Sequence, residues 1–128
     1  MAWDAKPGGS LLIPSGTYHD PSKRHLFIIC KVSPTHALMV SISTWLNDLC
    51  DGSCVLEKDQ HPFIKHKSYV QYRKARIEAL KDIKAGIDKG VLIPNHDVNQ
   101  ECFNRVCDGF EKSKFVPWKM KQAWKKWK

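Results

Sequence analysis

Two apolar, β-branched runs, His25–Val32 and Ala37–Thr44, stand four residues apart, joined by Ser33-Pro34-Thr35-His36. Proline and serine in so short a joint favour a turn, so the runs read as the strands of an antiparallel hairpin. In the second run Val40 and Ile42 alternate with Ser41 and Ser43, which puts the two serines on one face. More strand material follows in Cys54-Val55-Leu56, and then in Phe63-Ile64 and Ser68–Tyr72 beyond a turn at Asp59–Pro62. Upstream, Gly16-Thr17-Tyr18 opens another short strand, His19–Lys23 is a turn, and residues 1–10 read as a loose lead-in. Short strands broken by frequent turns predict a small barrel or sandwich.

The period then changes. Ile77, Leu80, Ile83 and Ile87 fall at helical spacing, and Gly90 is a stop signal. Arg73, Lys74 and Arg76 either open this helix or, at Arg73, continue the preceding strand. Cations at a helix N-terminus oppose the macrodipole, so the first reading calls for a compensating partner such as phosphate. Val91–Pro94 is a short extended link. Asp97, with Gln100 three residues on, has the form of a capping box for a helix whose apolar stripe is Val98, Cys102, Val106 and Phe110. Pro117 can open a tail helix on which Met120, Ala123, Trp124 and Trp127 share a face. Strands first and helices last imply an α+β domain, with a body over 11–111 and a tail over 112–128.

Charge separates these parts. The net charge is +8, and the last 17 residues hold seven lysines and no acid, which leaves the body near neutral. Such a tail attracts phosphate or another polyanion. Trp118, Trp124 and Trp127 among Lys119, Lys121, Lys125 and Lys126 match the aromatic-and-basic pattern that stacks bases and tracks a single-stranded backbone. The same face can instead dock on the body, lie on an anionic membrane surface, or simply be solvated.

The longest apolar run, Leu26–Cys30, is far short of the ~20 residues that span a bilayer. Met1–Pro7 lacks a basic start followed by an apolar stretch, so a cytoplasmic chain without a secretory signal is expected. Five cysteines in such a setting point to reduced thiols. Cys50, Cys54, His61 and His66 spell C-x3-C-x6-H-x4-H, the residue types of a zinc site, although the middle spacer is short for a finger. The plainer reading is a turn with ordinary cysteines and histidines. No glycine-rich phosphate loop, G-x-S-x-G or H-E-x-x-H occurs, and no cofactor is implied.

Several segments match one known pattern. Arg24-His25-Leu26-Phe27-Ile28-Ile29 resembles the Arg-Pro-plus-apolar strand of the MazF/PemK (plasmid-maintenance) toxin family, and Val40–Thr44 resembles the strand that ends in that family's Thr or Ser. Gly16-Thr17-Tyr18 sits where the family opens its first strand, and His66–Val70 followed by Arg73 resembles its Ser-containing strand and basic continuation. The resemblance covers roughly residues 11–90. It implies an SH3-like antiparallel β-barrel, here followed by two or three C-terminal helices. It also implies a homodimer that cleaves single-stranded RNA without a metal and is opposed by a small acidic antitoxin. Carried over, Arg24 stabilises charge on the phosphorane and helps proton transfer, while Thr44 positions the phosphate. The departures are His25 in place of Pro, Thr17 in place of an acid, and a first loop cut to His19–Lys23.

Around this pair, His19 and His25 are within reach as general acid or base. Ser41, Ser43, Ser68 and Arg73 are candidate substrate contacts, and His61 and His66 lie in a loop that can cover the site. The competing function is an SH3-like module that binds nucleic acid or protein without cutting.

Overall fold

The computed structural model describes residues 3–15, 23–58 and 60–127. Among them lie β1 (Ser10–Pro14), β2 (Arg24–Val32), β3 (His36–Thr44), β4 (Val55–Leu56) and β5 (Ser68–Ala79). These are followed by α1 (Leu80–Asp88), β6 (Ile93–Asn95), α2 (Gln100–Lys112) and α3 (Trp118–Lys126). The strands form one curled antiparallel sheet, a half-barrel, in the order β4-β5-β3-β2-β1-β6. The expected hairpin is β2–β3, paired from Phe27↔Ser41 to Val32↔Ala37 around a bulge between Ile29 and Lys31.

Successive β2 side chains serve two cores. Leu26, Ile28 and Cys30 face one that also holds Val106, Phe110 and Ala123 of α2 and α3. Phe27 and Ile29 face another, closed by Ile83 of α1 with Trp3 packed against it. Burial on both faces explains why this run is continuously apolar rather than alternating.

Tertiary pairing moves several boundaries. β5 runs to Ala79, so Arg73, Lys74 and Arg76 belong to a strand and the first helix begins only at Leu80. The pairs from Met39↔Arg76 to His36↔Ala79 satisfy this half of β5 against β3, and Ile77 packs on the first core from the strand. Phe63 and Ile64 form no strand. The Ile64 N–H donates to the His61 carbonyl at 2.9 Å, a turn that drops Ile64 into the core. The lead-in is tied down rather than loose. Gly8 donates to the Ile29 carbonyl (2.8 Å), Ile29 donates to that of Gly9 (2.9 Å), and Val98 donates to that of Gly8 (2.9 Å). The predicted strand start at Gly16-Thr17-Tyr18 and the turn residues His19–Ser22 lie outside the described residues.

The extended link after α1 pairs with β1 as β6, from Ser10↔Asn95 to Leu12↔Ile93. Gly90 takes φ +74° just past the end of α1, the left-handed stop that glycine permits. The cap of α2 is Asn99, whose side chain accepts the Cys102 N–H at 2.8 Å. Asp97 lies too far from the first turn and pairs instead with Lys6 at 2.7 Å. α3 follows Pro117 as expected and docks on the body. Trp124 stacks on Phe110 (centroids 4.7 Å, planes 25° apart) and donates to Glu111 at 3.2 Å. Lys31 bonds the Trp124 and Trp127 carbonyls and sits 4.4 Å from the Trp124 ring. Among the described residues no helix is long and apolar enough to cross a membrane.

Candidate functional site

The β2–β3 ladder stops at Phe27↔Ser41, but each strand continues with a different partner. β2 stays on β1 as far as Pro14↔Arg24, while β3 stays on β5 as far as Thr44↔Ser68. The strand ends therefore splay and open a cleft of about 380 Å³ between them. Arg24 and Thr44 both line it, with Lys23 and Lys65 supplying further positive charge, and Ser43 and Ser68 supplying hydroxyls. Ile42 and Ile64 are its buried apolar residues, and Phe63 is half-exposed. No carboxylate lines the cleft among the described residues.

Within this cleft Thr44 Oγ1 and His66 Nε2 stand 2.9 Å apart. Arg24 is turned away from that pair, donating from Nε to the Val91 carbonyl (3.3 Å) and from Nη2 to that of Gly90 (3.2 Å). His25 lines the cleft with its Nδ1 2.9 Å from Ser15 Oγ. Partial burial, then Lys23 and Lys74, push its pKa down, so its neutral form is favoured. His19 lies outside the described residues.

The other expected residues separate. Ser41 is buried opposite Phe27. Ser43 donates to Gln71 at 2.9 Å, and Ser68 donates to the His66 carbonyl at 2.9 Å, bracing that residue's backbone. Arg73 stands on the outer part of β5 with its guanidinium 4.8 Å from the Phe115 ring. His61 is buried. Its Nδ1 accepts the Phe63 N–H at 3.0 Å, so the ring proton is on Nε2 and donates to the His96 carbonyl at 2.7 Å, with Ser10 Oγ at 3.2 Å. These bonds pin the loop carrying Phe63–His66 to β1 and the segment after β6. Burial lowers the pKa of His61, only partly opposed by its bond to the His96 carbonyl.

The C-x3-C-x6-H-x4-H residues do not converge. Cys54 is buried against Tyr72, burial raising its pKa to about 11. Cys50 sits over the Asn47 and Leu46 backbone, whose hydrogen bonds lower its pKa. His61 is held by Ser10 and His96, and His66 by Thr44. Among the described residues no group of three or more His, Cys, Asp or Glu is placed to hold a metal ion. Cys54, just before β4, is buried while Cys50 in the preceding loop is half-buried, so sequence closeness does not become a tetrahedron.

In the tail, Trp124 and Trp127 are packed on the body, whereas Lys119, Lys125 and Lys126 are exposed and Lys121 is half-buried. Sequence reasoning passed over Lys23 and Lys65 as site residues, and did not pair His66 with Thr44. The run Lys65-His66-Lys67 just before a strand that returns beside β3 carried that signal.

Fold and site together define an α+β protein with a cationic cleft where a curled sheet splits. No known family model matches the chain, and none of the curated proteins matches it.

Proposed function

We propose that the cleft binds the sugar–phosphate backbone of single-stranded RNA and cleaves it as a metal-independent endoribonuclease, the sheet being the open form of an SH3-like barrel. The observation that carries this reading is the gathering of Arg24, Lys23, Lys65 and the Thr44–His66 pair around one cleft that no carboxylate lines among the described residues. Preorganised cations facing developing negative charge are usually the largest catalytic contribution, and imidazole is the side chain best suited to move a proton near neutral pH. The RNA 2′-oxygen bonds to phosphorus and the bond from phosphorus to the 5′-oxygen breaks. His66 takes the 2′-hydroxyl proton, and the leaving 5′-oxygen gains a proton from solvent. The products are a 2′,3′-cyclic phosphate and a 5′-hydroxyl. Thr44 holds the His66 ring, and the three cations bear the phosphorane charge. On this reading the partners are RNA, a second copy of the chain and a small acidic antitoxin.

The engagement of Arg24 with two backbone carbonyls favours a second reading, a module that binds RNA without cutting. One experiment separates the two. The purified protein is incubated with a long single-stranded RNA in EDTA, and the ends are mapped. Cyclic-phosphate ends that vanish with His66→Ala support cleavage. Intact RNA that still binds supports the module, and neither binding nor cutting overturns both.

A further inference from the structure

The cleft does not end at Ser43. The Ser43–Gln71 hydrogen bond joins its wall to a second, smaller depression lined by Tyr69, Gln71, Arg73 and Phe115. On the face that Ser43 shares with Tyr69 and Gln71, Arg73 stands two residues beyond Gln71, roughly 7 Å along the strand, so a chain leaving the cleft past Ser43 along β5 meets Arg73 next. There Phe115 is 43% exposed beneath the Arg73 guanidinium, and three residues on, at the first position of α3, Trp118 is 72% exposed. These are large rings left in water on a protein that buries its other tail tryptophans against the core. Their setting is positive: Lys112, Lys114 and Lys119 are exposed, and no acid follows Glu111. Asp51 also lines the depression, but both its oxygens are occupied. Oδ1 accepts from Ser53 N (3.0 Å) and Oγ (2.6 Å), and Oδ2 accepts from Ser113 Oγ (2.6 Å).

We propose that Arg73, Phe115 and Trp118 form a second RNA subsite, in which a strand running out of the cleft along β5 stacks its bases on the two rings while Arg73 and the flanking lysines hold its phosphates. The inference rests on the cleft as an RNA site and extends it, because it requires a substrate several nucleotides longer than the cleft itself. Stacking on exposed rings tolerates any base, so this subsite sets substrate length and affinity rather than sequence.

The test uses the full chain and fluorescent 2′-O-methyl oligouridylates, which lack the attacking hydroxyl and remain intact during binding. Trp118→Ala is expected to weaken binding of a twelve-nucleotide oligomer by about five- to one-hundred-fold, the loss expected for one stacked base. It should leave binding of a three-nucleotide oligomer and the melting temperature unchanged. Phe115→Ala should act in the same direction. Unchanged twelve-nucleotide affinity in both variants overturns the subsite, as does an equal loss at both lengths. The cleft is tested separately by Arg24→Ala with cleavage of unmodified RNA. Loss of twelve-nucleotide binding in Trp118→Ala together with wild-type cleavage by a folded Arg24→Ala leaves the subsite standing and removes the Arg24 chemistry of the cleft. The opposite result removes the subsite and keeps the cleft.

Discussion

Arg24 is anchored by two carbonyls on one side and open to the cleft on the other. Because it is an exposed residue at the start of β2, Arg24→Ala should cost under about 1 kcal/mol of stability, while any RNA cleavage should fall about 100-fold or more. A folded variant cutting at the wild-type rate would exclude Arg24 from the chemistry. His61 acts on stability through its protonation. Its Nδ1 is an acceptor, so the folded protein holds it neutral, and burial lowers its pKa below that of the unfolded chain. The unfolded state therefore binds more protons as the pH drops below about 6.5, and stability falls with acid. His25, also lowered, adds in the same direction. Denaturant midpoints at pH 7.5 and 5 should show this loss, and His61→Gln, whose amide can both accept and donate, should reduce it. An unaltered pH dependence in that variant would exclude His61 as a source.

Among the elements, α2 and β5 approach each other closely at one point. A Cβ at Gly109 would collide with the Tyr72 hydroxyl and lie 2.9 Å from Cys54 Cβ. Tyr72, fully buried, donates to the Val106 carbonyl at 2.6 Å, so it has nowhere to retreat. Gly109→Ala should therefore cost about 1–3 kcal/mol through overpacking, against a gain of up to about 1 kcal/mol in helix propensity. Thermal melting checks the sign. A variant as stable as the parent would mean that the helix lifts off Tyr72 at a cost no larger than that propensity gain.

On the scale of the whole molecule, the basic tail is part of the fold. Ala123 is buried, and Met120, Trp124 and Trp127 close the first core. Truncation before Trp118 should lower the melting temperature and expose Phe110 to apolar dyes, and Trp124→Ala alone should cost about 2–4 kcal/mol. A truncated chain that melts with the parent would show that the α3 contacts contribute nothing. Deletion is thus a poor probe of the tail's charge. Substitutions at exposed Lys119, Lys125 and Lys126 remove charge without opening the core.

The hairpin, the apolar stripe of α2 and the docking face of α3 were all legible in the residues. Each is a local pattern in which side-chain period and burial agree, as Cys102, Val106 and Phe110 illustrate. The length of β5 was not legible, because Ile77 and Leu80 satisfy helical spacing while only pairing with His36–Met39 makes the strand. Nor was the site. Arg24 and Thr44 could be nominated from sequence, but the cleft between them exists because β2 and β3 take different partners beyond Phe27↔Ser41. The same holds for the metal pattern, whose four residues are neighbours in sequence and separate in space. Periodicity determines which face a side chain occupies. Which strands stay together, and where they part, depends on hydrogen bonds between residues far apart in the chain, and that was decided only in the tertiary structure.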